Sequence, residues 1–122
     1  MVDGYGDPDP RRRQRRQWGF AVVRGRSMEP TLRAGDRLLV RWGACPRLDR
    51  PALVRLPERP LSVKRITGRD GDDWWVERDN PRVGVDSWLV GAIPAADVVA
   101  VVVARVWPRP SMRLPRARQG FD

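Results

Sequence analysis

The run from Ala96 to Trp107 constrains the chain most. It is dense in β-branched residues, and only Asp97 and Arg105 interrupt its apolar character. A strand with two apolar faces must be covered on both, which places it in the middle of a sheet. The β-branched-rich apolar core of this run, Val98 to Val103, is far shorter than the ~20 residues that span a bilayer. No signal peptide is expected from the N-terminus, which is acidic and then Arg-rich, with no apolar stretch of the required length.

Around this run the chain reads as short strands separated by Gly and Pro turns. Trp18 to Arg24 is a first strand and ends at Gly25; Ser27 to Leu32 follows as a turn or one helical turn. Arg37 to Trp42 is a second strand, entered through the Ala34-Gly35-Asp36 turn and with Leu38 and Val40 on one face. Ala52 to Leu56, Leu61 to Thr67 and Asp73 to Arg78 are further strands, and Trp88 to Ile93 a short extended piece. Asp79 to Asp86 is an irregular loop. Seven or so short strands without a long helix predict an all-β domain, a small antiparallel barrel or set of folded sheets. It covers residues 18–108. Residues 1–17 and 109–122 read as disordered tails, the first Arg-rich and the second Pro- and Arg-rich.

Composition then narrows the chemistry. The chain has no histidine, so Ser-His-Asp triads, Cys-His pairs and His-based metal sites are excluded. The single Cys45 can form no internal disulfide, which suits a reducing, cytoplasmic setting. No metal and no cofactor are called for. A net charge of +9 suggests an anionic partner, but residues 1–17 carry five Arg against three Asp, and residues 109–122 four Arg against one Asp. More than half of the excess therefore sits in the tails. Nothing in the central domain resembles a nucleic-acid reader, and no specific nucleic-acid partner is expected.

Of 24 basic residues, 23 are arginines; Lys64 is the lone lysine. The task arginine cannot perform is to be a neutral amine, since it does not deprotonate in proteins. A lysine can do so when apolar burial disfavours its charged form, and Val63 and Ile66 flank Lys64 while Arg65 points to the opposite face. Four serines are present: Ser27, Ser62, Ser87 and Ser111. Ser62 shares a strand face with Lys64 and is a candidate to hydrogen-bond its amine. Ser27 stands at a glycine corner, where its hydroxyl can be presented and its own N–H can face a developing oxyanion. Ser27 as nucleophile and Lys64 as base form a candidate dyad.

Three stretches carry a resemblance. Gly25-Arg26-Ser27-Met28-Glu29-Pro30-Thr31 resembles the nucleophile box of the type I signal peptidases, Val63-Lys64-Arg65-Ile66 their lysine box, and Asp79-Asn80 with Asp86-Ser87 their third box. Order and spacing agree from Trp18 to about Trp107. The resemblance implies a β fold, Ser27 as nucleophile, Lys64 as general base, and removal of an N-terminal extension after a small residue. It implies supporting roles for Asp79, Asn80, Asp86 and Arg65, and substrate contacts from Met28 and Pro30. The chain departs from the family in lacking its membrane-spanning segment. Arg78 replaces the glycine of the third box, Gly84 stands where many members have a serine orienting the lysine, and Trp88 replaces an arginine. Ser62 is then the candidate to orient Lys64, and Arg65 the candidate partner of Asp86. Gly25 is shared with members that lack a side-chain oxyanion donor.

A short, Arg-rich chain of this pattern most resembles the maturation proteases of nickel-type superoxide dismutase, which implies the dismutase precursor as polypeptide substrate. Two alternatives remain. A secretory-type signal peptidase without its anchor would use some of the six tryptophans for peripheral membrane contact. A basic nucleic-acid-binding module with a repressor-like β domain would bind DNA with steep salt dependence. The repressor autoproteases share the dyad, but their upstream DNA-binding domain and cleavable Ala-Gly linker have no counterpart in the 17 residues before the first strand.

Overall fold

The computed structural model describes residues 2–4 and 17–116. The protein is all-β. Its strands are β1 (Val2–Gly4), β2 (Trp18–Val23), β3 (Arg37–Trp42), β4 (Pro51–Val54), β5 (Ser62–Asp70), β6 (Asp73–Glu77) and β7 (Val98–Trp107). They form one sheet in the order β1-β2-β3-β7-β4-β5-β6, and every pairing is antiparallel.

The run with two apolar faces is the middle strand. β7 lies between β3 and β4, with Leu39 opposite Ala104 on one side and Leu53 opposite Ala100 on the other. Both pairings contain a register shift, and such irregularities bend a sheet and increase its twist. The sheet accordingly serves two cores. One gathers Ala21, Val23, Leu38, Val40, Trp42, Leu53, Val63, Ala100 and Val102. The other gathers Ala52, Val54, Leu56, Ile66, Trp74, Val76, Ile93 and Val98. Consecutive residues of β4 divide between the two, and so do Val63 and Ile66 of β5, as the two-residue repeat of a strand requires.

Three expectations change. Trp88 to Ile93 is not extended. Ser87–Val90 form one helical turn, α1, because the Asp86 carboxylate caps the Trp88 N–H and Gly91, at a φ of 81°, ends it. The C-terminal stretch is not a free tail as far as residue 116. Ser111 bridges to Arg105, Leu114 is buried in the first core, and Arg50 donates to the Met112 carbonyl. Leu114 is the only leucine in this Pro- and Arg-rich stretch, and it anchors the chain together with those two backbone contacts. At the other end, Val2–Gly4 pairs with β2, so its backbone belongs to the sheet. The remaining residues read as tails, 1, 5–16 and 117–122, lie outside the described residues.

Candidate active site

The turn between β2 and β3 carries Ser27. Gly25 has a φ of 90°, in the region that favours glycine, and lets the chain leave β2 sharply. Glu29 N then bonds to the Arg26 carbonyl and Leu32 N to the Met28 carbonyl, closing one tight helical turn. Met28 and Leu32 drop into the first core and pin the turn from beneath. Ser27 stays half-buried at its top.

Lys64 arrives from the middle of β5. Its register partner on β4 is Ala52, and it is only 3% exposed. The amine Nζ lies 2.8 Å from Ser27 Oγ, across 37 residues of sequence. Burial pulls the Lys64 pKa down to about 8; Asp86 opposes this, while Arg78 and Arg59 add to it. At pH 7 roughly a tenth of such a group is the neutral amine, against fewer than one in a thousand for an ordinary lysine. A hydroxyl bonded to such an amine can lose its proton as it attacks. Among the described residues no hydrogen bond takes up the Ser27 N–H, leaving it free for an oxyanion.

The Asp79-Asn80 pair holds the serine turn. Asn80 N donates to the Ser27 carbonyl at 2.8 Å, and Asn80 Nδ2 to the Arg26 carbonyl at 2.9 Å. Thr31 Oγ1 donates to Asp79 Oδ2 at 2.6 Å. Asp79 is itself held by a two-pronged bond from Arg65, with Nε at 2.9 Å and Nη2 at 2.7 Å. Both side chains are buried, so each charge depends on the other.

Several supporting roles differ from expectation. Asp86 does not pair with Arg65, because Arg65 lies on the strand face opposite Lys64. Asp86 instead accepts from the Trp88 and Arg78 backbone N–H groups and lies 3.4 Å from Arg78 Nη1. Ser62 does not hold the amine. Its Oγ is buried without a hydrogen-bond partner, since two residues along a strand are separated by about 7 Å and the lysine reaches away toward Ser27. Met28 cannot offer a substrate contact at 2% exposure, with its side chain spent on the core. Pro30 is exposed on the serine turn, behind a cis peptide bond.

Gly84 and Arg78 complete the site. Gly84 has a φ of 101°, and a Cβ built on it would stand 2.7 Å from Ser27 Cβ and 3.5 Å from Lys64 Nζ. Arg78 lies behind it and bonds the carbonyls of Asn80 and Pro81. The only sequence signal for Arg78 is its departure from the third-box pattern; Thr31, inside the first box, gives no separate signal of its link to Asp79. Two cavities of about 640 and 700 Å³ share Trp42, Gly43, Ala44 and Cys45 and include neither dyad residue. Among the described residues no group of three or more Cys, Asp or Glu is gathered as for a metal ion, and no helix is long and apolar enough to cross a membrane. Comparison with protein-family models, curated proteins and solved structures returns no match to this chain.

Proposed function

We propose that the protein is a serine endopeptidase of the Ser/Lys type that removes the N-terminal leader of a precursor protein. One observation carries the reading: the 2.8 Å contact between Ser27 Oγ and the buried amine of Lys64. Neutral Lys64 takes the hydroxyl proton as Ser27 Oγ attacks the scissile carbonyl, and the Ser27 N–H faces the resulting oxyanion. The Lys64 ammonium then protonates the leaving amine, giving an acyl-enzyme on Ser27. Water, deprotonated by the same amine, hydrolyses the ester and frees both residues.

For the substrate, the sequence pattern favours the precursor of a nickel-type superoxide dismutase, processed in the cytoplasm; the single exposed cysteine agrees with a reducing compartment. The test is incubation with that precursor and mass spectrometry of the new N-terminus. A leader cut after a small residue is expected. An intact precursor, under conditions where a secretory signal peptide is cleaved, overturns the substrate assignment.

One observation favours a secretory-type peptidase as second reading. Trp88 and Leu89 are 75% and 71% exposed on α1, directly after Asp86, an apolar pair that suits an interface. Firm co-flotation with anionic vesicles would support it.

A further inference from the structure

Among the described residues, Arg78 is the one near the dyad whose side chain contacts both ends of the loop after β6. Nε donates to the Asn80 carbonyl at 3.1 Å, Nη2 to the Pro81 carbonyl at 3.0 Å, and Nη1 lies 3.4 Å from Asp86 Oδ2. Its backbone N–H also donates to Asp86 Oδ2 at 3.1 Å. Its Cδ is 3.7 Å from the point where a Gly84 side chain would begin, a point also within 3.5 Å of Lys64 Nζ. The space a residue-84 side chain would need is thus bounded by Ser27, Lys64 and Arg78.

We infer that Arg78 is a positioning residue for Lys64: it neutralises Asp86 on the lysine's side and closes the 80–86 loop so that Gly84 abuts the dyad. For its catalytic consequence this rests on the peptidase reading; for its effect on the amine it does not.

Other charges do not substitute for it. β4 is Pro-Ala-Leu-Val and carries none. On β5 and β6, Arg65 pairs with Asp79 on the far face, and Glu77 is held by Arg116. On the serine turn Arg26 and Glu29 pair with each other. In the segment joining β4 to β5, Arg59 acts on Lys64 in the same direction as Arg78, but more weakly. Asp86 is the anion that favours the lysine's charged form, and among the described residues Arg78 is the cation against it. Without Arg78, an uncompensated Asp86 would keep the amine protonated to higher pH.

The lone lysine makes the test direct, since protein carrying ¹³C-lysine has one lysine side chain to titrate. Arg78→Gln is expected to raise the Lys64 pKa by about half a unit or more. Arg78→Lys, which keeps the charge but adds a second lysine signal to be assigned against the wild-type spectrum, should leave the Lys64 pKa near the wild-type value. Arg78→Gln combined with Asp86→Asn should return it most of the way. An unmoved pKa in Arg78→Gln, or a shift that persists in full in the double variant, overturns the inference. If Arg78→Gln does not fold, the double variant compared with Asp86→Asn alone decides: Asn can still cap α1, and the Lys64 pKa must be higher in the double variant, which differs only by loss of the Arg78 cation. In cleavage assays the acidic limb of the kcat/KM profile should move to higher pH with the lysine, whereas a merely structural defect lowers the rate at every pH. A moved titration beside an unmoved limb leaves the action of Arg78 on Lys64 standing and removes Lys64 as base.

Discussion

Gly84 stands so close to Ser27 that a single added carbon would lie 2.7 Å from the serine Cβ. Atoms do not approach that closely without something moving, and neither neighbour is free to move. The Ser27 turn is tied through Asn80 and Thr31 and pinned by Met28, and Lys64 is embedded in β5. The 80–86 loop, with its glycine in a backbone region that other residues seldom occupy, is therefore fitted to the dyad rather than draped near it.

Gly84→Ala is accordingly expected to lose about 2 kcal/mol of stability or more, combining a left-handed backbone penalty with the clash. Cleavage should fall at least about tenfold, because the added methyl displaces Ser27 from Lys64. Gly84→Ser should do no better. A serine at residue 84 could not orient the lysine, since its Cβ meets the same obstacle. Thermal denaturation and a cleavage assay check both; an Ala variant as stable and active as the wild type would show that the contact is not made.

The link from Arg65 through Asp79 to Thr31 should be felt in both stability and rate. Arg65→Met leaves the Asp79 carboxylate buried without its two-pronged partner and with Arg116 Nε at 3.7 Å as a remaining cation, a change worth up to about 3–5 kcal/mol. Arg65→Met with Asp79→Asn should recover a substantial part of that, since no buried charge remains. Thr31→Val loses a hydrogen bond to a charged group, worth about 1.5–3 kcal/mol, and loosens the turn that presents Ser27. Denaturant titration of the wild type, Arg65→Met, Asp79→Asn and the double variant gives the cycle, with Thr31→Val measured beside it. If the double variant is no more stable than Arg65→Met, the buried charge is not the cause.

What is legible in the sequence follows from the range over which each signal acts. β7 is recognisable as a central strand because both of its faces are apolar, a property of the run from Ala96 to Trp107 that contains it. Ser27 and Lys64 stand out because histidine is absent and lysine occurs once, so counting residue types does the work of distance. The partner of Asp86 is not legible. The face of Arg65 follows from strand alternation, but which carboxylate meets it there, and how residues 80–86 return past Arg78, are tertiary facts. Met28 reads as a substrate contact within its motif, yet the turn's own hydrogen bond from Leu32 tucks it under. α1 is a single turn, too short to display a helical period, and its cap and stop residues are shared with ordinary loops. Leu114 is hidden by the prolines and arginines around it.

Lys64→Arg separates charge from proton transfer. Arginine can keep a cation near Ser27 but cannot become a neutral base near pH 7. Cleavage should fall by at least about a thousandfold, as when a nucleophile loses its base, and Ser27→Ala should be as inactive. Near-native circular dichroism in both would show that the loss is chemical. Retained cleavage in Lys64→Arg sinks the general-base role.

The buried amine should also cost the fold stability in a pH-dependent way. The folded-state pKa of Lys64 is about 8, below its ordinary 10.5, so between those values the unfolded chain binds more protons than the folded one. Stability therefore rises with pH across that window, and below pH 8 the penalty is present in full, up to about 3 kcal/mol. Lys64→Met, similar in length and without the charge, should be more stable than the wild type at pH 7 by about 1–3 kcal/mol. That advantage should shrink steadily from pH 8 to pH 10.5, as the wild-type amine sheds its proton in the folded state. Urea denaturation of both proteins at pH 7, 9 and 10.5 measures the difference directly, with titrations common to the two chains cancelling. A difference that does not change with pH would mean that the Lys64 amine is charged at neutral pH no less readily in the folded protein than in the unfolded chain, and the dyad would then lack its base.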